Sequence, residues 1–147
     1  MIDIKIKLLR DGVNLPEYKT EGAAALDLAS AADSAITIPA GGRALIPTGI
    51  AISIGSPYYV ALVCARSGLS TKFGVSLANG IGVIDSDYRG EIFVAIINND
   101  KEPKTIENGE RVGQLMILPV IVPTYVEADE LDETERGSGG FGSTGTK

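Results

Sequence analysis

Two carboxylates, a phenol ring and a guanidinium fall within five residues, Asp85-Ser86-Asp87-Tyr88-Arg89. Groups able to accept a proton, pack against a flat ligand and meet an anion thus share one short segment. The surrounding stretch, Asn79 to Glu91, reads NGIGVIDSDYRGE, with the apolar-or-glycine run Ile81 to Ile84 leading into the acids. Gly80 and Gly82 allow another group to approach the backbone closely, so the stretch reads as a buried β-hairpin whose polar end faces a pocket. The chain has no histidine and one cysteine. Neither a Ser-His-Asp triad nor a Cys-His pair can be built from it, and zinc lacks its preferred ligands. Proton chemistry must therefore rest on carboxylates, with Asp85 the first candidate. Asp27, Asp85 and Asp87 are the acids set in apolar sequence, whose burial would need a reason. Carboxylates and phosphate oxygens suit a hard cation such as Mg²⁺.

Short β-like runs separated by turn residues must position these groups. Ile2, Ile4 and Ile6 alternate with Asp3, Lys5 and Lys7 as in a half-buried strand. Further strands are expected over Ala35 to Ile38, Arg43 to Ile54, Tyr58 to Ala65, Ile92 to Asn98 and Val112 to Val122. Gly/Pro/Asn clusters punctuate them, and the pattern predicts an all-β, single-domain distorted barrel of jelly-roll-like type. Pro47 and Pro119 interrupt apolar runs, which predicts an edge position or a bulge. One short helix is expected from Ser67 to Phe73.

With 147 residues the chain can bury one good core. Only 5% of residues are aromatic, so that core should be aliphatic. A net charge of −6 argues against nucleic acid or an anionic membrane as partner. Cys64 lies in the strand-like run YYVALVCA and reads as a small buried hydrophobe. No internal disulfide is possible, which fits a reducing cytoplasm, or that of an infected cell. The alternating start is not a signal peptide, and no stretch has the length of a membrane span.

From Glu127 to Glu135 the chain carries six acids and no base, followed by RGSGGFGSTGTK. Residues 1–135 are expected to form the domain and 136–147 a mobile Gly-rich tail. Arg136 and Phe141 stand out in that polar strip, spaced so that one could meet a phosphate and the other a base. The tail is not a P-loop, since it lacks Gly-Lys-Ser/Thr and a following helix.

Five segments in order carry a resemblance: AALDLAS around Asp27, ARSGLS (Ala65 to Ser70), NGIGVIDSDYRGEI, ERVGQL around Arg111 and Gln114, and RGSGGFGSTG. Together they resemble the five motifs of the trimeric dUTPase family, over almost the whole chain. The third and fifth are the most specific. Ala25, Ala65 and Gly113 depart from that pattern, each a small-for-small change that removes no reactive group.

The resemblance implies cleavage of dUTP between the α- and β-phosphates to dUMP and pyrophosphate, which limits uracil incorporation into DNA and supplies dUMP for dTMP synthesis. Such transfer rests mainly on positioning and charge stabilisation. It implies that Asp85 orients and deprotonates the attacking water; aspartate is ordinarily ionised at neutral pH, so no histidine is needed. Arg66, Ser67 and Gly68 would bind phosphates at the start of the short helix, with Gln114 nearby. Arg111 could serve the phosphates or act as a salt-bridge partner. Asn79 and the backbone around Gly82 would read the uracil edge, and Tyr88 would pack on the sugar and exclude a 2′-hydroxyl. Asp27 would reach Mg²⁺ through water, the metal being held by the phosphates. In the tail, Arg136 would contact the γ-phosphate, Phe141 would stack on uracil, and Ser143 and Thr144 would add phosphate hydrogen bonds.

Assembly is implied as well. The family forms homotrimers in which one subunit supplies the second and fourth motifs, another the third, and the remaining one its tail. Two other readings stay open on the residues: a dCTP deaminase of similar fold, and a non-catalytic nucleotide-binding regulator. The deaminase expects a different third motif, and a regulator would be expected to lack Asp85, Tyr88 or the tail.

Overall fold

A computed structural model describes residues 2–140; Phe141, Ser143 and Thr144 lie outside the described residues. Eleven strands and one helix follow in the order β1 (Lys5–Leu8), β2 (Leu26–Ala29), β3 (Ile36–Ile38), β4 (Arg43–Pro47), β5 (Ile50–Ser53), β6 (Tyr59–Cys64), α1 (Ser67–Phe73), β7 (Val75–Leu77), β8 (Gly82–Ile84), β9 (Phe93–Asn98), β10 (Lys104–Ile106) and β11 (Arg111–Pro119). They pair antiparallel into a four-stranded sheet β2-β11-β6-β8, a three-stranded sheet β4-β9-β7, and the pairs β1-β5 and β10-β3. The fold is mostly β and jelly-roll-like, and among the described residues no barrel closes.

The sheets pack around an aliphatic core that includes Leu28, Ile46, Val63, Val94, Ile96 and Ile106. Alternation along the strands decides who enters it. On β6, Ala61 and Val63 point inward while Cys64 faces the other way and is only half-buried. The expectation of a buried thiol is corrected for that reason: strand parity outranks the hydrophobicity of the side chain.

Two expected runs are shorter than their apolar patterns. The stretch Arg43 to Ile54 divides into β4 and β5 because Gly49 takes φ +68° between them. A Cβ at Gly49 would lie 2.5 Å from Val13 Cγ2, so both the backbone angle and the space require glycine here. β11 stops at Pro119, and residues 120–126 continue without a strand. β4 is an edge strand, as Pro47 suggested. β11 is internal, yet its partner β2 reaches only Leu115, so Pro119 is paired on one side only; the irregularity in β11 falls between Arg111 and Gly113 instead.

Asn98 is the polar hinge of the second sheet. It is fully buried, and its Nδ2 donates to the carbonyls of Ile38, Pro39 and Glu102 while its Oδ1 accepts from Asp100 N–H. One amide thus satisfies a turn that would otherwise bury unpaired backbone groups. Replacing Asn98 with Ala leaves those groups without partners and should destabilise the protein by roughly 2–4 kcal/mol. Urea denaturation at fixed protein concentration measures this, and a loss below about 1 kcal/mol would show that water replaces the amide.

Candidate active site

Asp27 sits on β2 directly opposite Gln114 of β11, and Gln114 in turn lies opposite Cys64 of β6. The neighbours Leu28, Leu115 and Val63 are buried in the core, so Asp27 and Gln114 share the opposite face of the sheet. The Asp27 side chain is 12% exposed and is held between two cations. Its Oδ1 accepts from Arg66 Nε at 3.1 Å, and its Oδ2 accepts from Arg111 Nη1 at 2.9 Å. Arg66 Nη1 also donates to the Arg111 carbonyl at 3.1 Å, closing a ring of contacts. A charge this far out of water needs such partners. Arg111 is therefore a salt-bridge partner of Asp27, and its side chain remains 51% exposed.

Arg66 leads directly into α1 and occupies the N-cap position with extended backbone and no side-chain capping bond. Ser67 is the first helical residue, not the cap. The N–H groups of the first turn therefore have no side-chain acceptor, and Ser67 and Gly68 are exposed beside them. The helix ends at Gly74, which takes the left-handed conformation and donates to Leu69 O. A cleft of about 410 Å³ opens here between Arg66, Gly68, Lys72, Glu110 and Arg111. Glu110 is engaged by Lys104 at 3.0 Å, which leaves the cations of the cleft in excess. An oxyanion with several charges fits this chemistry.

The second group of residues lies around β8. The structure corrects the buried hairpin: β8 is an edge strand, and Ile81, Val83 and Asp85 are exposed. Edge position leaves one side of a strand without a partner, whatever its hydrophobicity. Gly82 packs against Val63 of the same chain, where a Cβ would come within 2.9 Å, and the Asn79 amide lies beside it. After β8 the chain turns, with Tyr88 N–H donating to Asp85 O at 3.1 Å. Arg89 donates to the carbonyls of Ser86 and Tyr88, both at 2.8 Å, and so braces the turn from within. Glu91, which nothing in the local sequence marks, accepts from Gly49 N–H at 2.8 Å and from Arg10 Nη2 at 3.1 Å. The Glu91 hydrogen bond holds the Arg10 guanidinium above its ordinary pKa.

Asp85 does not meet the arginine cluster within one chain. Ile84 pairs with Ala61 and Gly82 with Val63, so Asp85 falls level with Val60, six residues before Arg66 along the same extended segment. At ~3.4 Å per residue, about 20 Å separate Asp85 from the Asp27–Arg66–Arg111 cluster. Arg136 lies in an exposed stretch without strand pairing, its Nε donating to Gly139 O at 3.1 Å.

Among the described residues no three carboxylate, His or Cys side chains are grouped to hold a metal ion. Each Asp27 oxygen accepts one hydrogen bond from an arginine and keeps further lone-pair capacity for water. That donor set fits a hydrated Mg²⁺ carried by phosphates better than a metal caged by protein.

The family model described as dUTPase matches residues 11–145. A deoxyuridine 5′-triphosphate nucleotidohydrolase of Desulfitobacterium hafniense is 51% identical over 98% of this chain and 97% of its own length. The enzyme of the same name from Chromobacterium violaceum is 45% identical, over 99% and 97%. Among solved structures, a variant of the Staphylococcus bacteriophage 80alpha dUTPase with dUpNHpp superposes with a TM-score of 0.83 at 28% identity, covering 97% of this chain and 98% of that one. A variant dUTPase from phage phi11 of S. aureus, described for its coordination of a structural Mg(II) ion, gives 0.80 at 25% identity, over 89% and 99%.

Asp27→Asn turns one acceptor into an NH₂ that must face a guanidinium. Stability should fall by roughly 1–3 kcal/mol, read from the urea midpoint. An unchanged midpoint would mean that water screens the cluster.

Proposed function

The chain belongs to the dUTPase family and is a dUTP diphosphatase, and we propose that it cleaves dUTP at the α-phosphorus with the following division of labour. A water molecule is oriented by Asp85 and attacks the α-phosphorus as its proton passes to the carboxylate. The bond from the α-phosphorus to the bridging oxygen breaks, and pyrophosphate leaves. The observation that carries this reading is the pair of guanidinium groups fixed by Asp27 at the uncapped start of α1. Cations held there before substrate arrives can stabilise a triphosphate without reorganising, the main task in phosphoryl-type transfer. Ser67 and Gly68 add backbone donors, and Gln114 stands on the same face as Asp27.

Asn79 and the backbone at Gly82 read uracil. A backbone-lined site completed around these residues would reject the thymine methyl by clash and cytosine by mismatched polar groups. Tyr88 covers the deoxyribose. Asp27 would hold Mg²⁺ only through water, and the ion would supply neutralisation of the triphosphate charge. Residues 1–135 make up the domain, and the tail 136–147 brings Arg136 to the γ-phosphate, Phe141 to the uracil face and Ser143 and Thr144 to the phosphates. A half-buried free thiol and a nucleotide substrate fit the cytoplasm.

The site is composite in a homotrimer. The distance along β6 supports this, because one chain alone keeps its base and its phosphate cations at opposite ends. A neighbour also accounts for the apolar residues that a lone chain exposes after β11, such as Ile121, Val122 and Tyr125, the last 91% exposed. Their sequence, IVPTYV, is long enough to lie across another subunit.

Incubation with dUTP, dTTP, dCTP and UTP in Mg²⁺ should give dUMP and pyrophosphate from dUTP alone; ammonia from dCTP would point to deamination. Asp85→Asn should lower turnover by about 10²-fold or more with nucleotide binding retained, and near-normal turnover would remove Asp85 as the base. Mixing inactive Asp85→Asn and Arg66→Ala chains after denaturation and refolding should restore activity at roughly a quarter of the sites. Two inactive variants that stay inactive together would place both residues in one subunit's site.

A further inference from the structure

Tyr88 has no strand to hold it. It lies in the irregular turn after β8, and the residue is 43% exposed. A ring that excludes a hydroxyl by steric clash must not yield, and an exposed tyrosine on a free turn changes rotamer easily. Something else fixes this one.

The ring folds back over Gly90. A Cβ built at Gly90 would lie 2.7 Å from Tyr88 Cζ and 3.2 Å from Cε2, and closer still to the hydroxyl oxygen. The requirement is for space, since Gly90 does not have positive φ. The hydroxyl then donates to the Glu91 carbonyl at 3.0 Å. Glu91 in turn is tied down. Its carboxylate, 15% exposed, takes the Gly49 N–H and the Arg10 guanidinium. The next residue, Ile92, is fully buried, donates its N–H to Ile50 O at 2.9 Å and accepts from the Thr48 hydroxyl at 2.6 Å. The Glu91 carbonyl is thus part of the rigid body of the domain, while Arg89 braces the turn on the other side.

We propose that Gly90 and Glu91 are positioning residues for sugar selection: Gly90 supplies the hollow in which the Tyr88 ring rests, and Glu91 supplies the anchored carbonyl that holds its hydroxyl. The selectivity against a ribonucleotide resides in this seat as much as in the ring. Preorganisation of this kind adds discrimination without adding a contact to the substrate. Gly90→Ala pushes the ring out of its rest position. Tyr88→Phe keeps the ring but frees it from the carbonyl. Glu91→Ala releases the seat from Gly49 and Arg10, whereas Glu91→Gln keeps an oxygen for the Gly49 N–H. The inference rests on the reading that Tyr88 covers the deoxyribose.

The test is the ratio of kcat/KM for dUTP to that for UTP, with thermal midpoints measured on the same preparations. Tyr88→Ala and Gly90→Ala should each lower the ratio at least tenfold, and the double variant should be no worse than Tyr88→Ala, because Gly90 acts only through the ring. Tyr88→Phe should lower it about threefold, the effect of one modest hydrogen bond. Glu91→Ala should lower it, and Glu91→Gln should recover part of the loss. If Tyr88→Ala loses selectivity while folded Gly90→Ala keeps it, the seat is wrong and the role of the ring survives. If Tyr88→Ala keeps selectivity, the reading of Tyr88 falls and the seat falls with it. Should Gly90→Ala fail to fold, an unchanged ratio in Tyr88→Phe overturns the proposal, and equal ratios in Glu91→Ala and the unaltered protein remove Glu91 from it.

Discussion

The position of β11 between β2 and β6 is the constraint on which the site depends. One residue, Gln114, is paired with Asp27 on one side and Cys64 on the other. That register sets Asp27 within reach of Arg111, one irregular step earlier on β11, and of Arg66, two residues beyond the end of β6. Gly113 makes the close approach possible. A Cβ there would come within 3.2 Å of Val94 and 3.4 Å of the Cys64 carbonyl, so even a methyl would require the second sheet to give slightly. A slip of one residue would send Asp27 into the aliphatic core and Leu28 to the surface. The penalty for an unpaired carboxylate in that core locks the register.

The same alternation explains what the sequence disclosed and what it withheld. Local patterns carried most of the longer strand runs, the helix from Ser67 to Phe73, and the aliphatic character of the core. The short strands β2, β7 and β10 are not marked in the sequence, because three or four residues hold too little alternation to distinguish them from a turn. The half-exposed Cys64 and the exposed Val83 were misjudged for a shared reason. Apolar composition signals burial, but which face is buried, and whether a strand has a neighbour on both sides, are set by pairings far away in the chain. The grouping of Asp27, Arg66 and Arg111 was legible only as separate motifs. Their direct contacts cross 39, 45 and 84 positions of sequence, and no local spacing rule spans that range. Glu91 left no local trace either, since its partners Gly49 and Arg10 are equally remote.

On the proposed composite site, two features of the chain share one explanation. Its chemistry is divided, with cations at one end of β6 and the Asp85 turn at the other, and its apolar surface is incomplete, with Tyr125 and its neighbours facing water. In a single-chain enzyme each would be a defect: the first disperses the transition-state charge from the base, the second invites aggregation. On the composite reading both are resolved by the same event, since the neighbour that covers the apolar segment is also the source of the missing half-site. Assembly and catalysis are then linked, because a chain that has not found its partners has no complete site. The linkage also rationalises the rigidity found at each half. On that reading, parts delivered from different subunits could not adjust to one another through a shared backbone, and each half is already fixed within its own chain: Arg66 and Arg111 by Asp27, and the Tyr88 turn by Arg89, Gly90 and Glu91. What a continuous chain achieves by folding around its substrate, a composite site of this kind would achieve by stiffening the separate pieces before they meet.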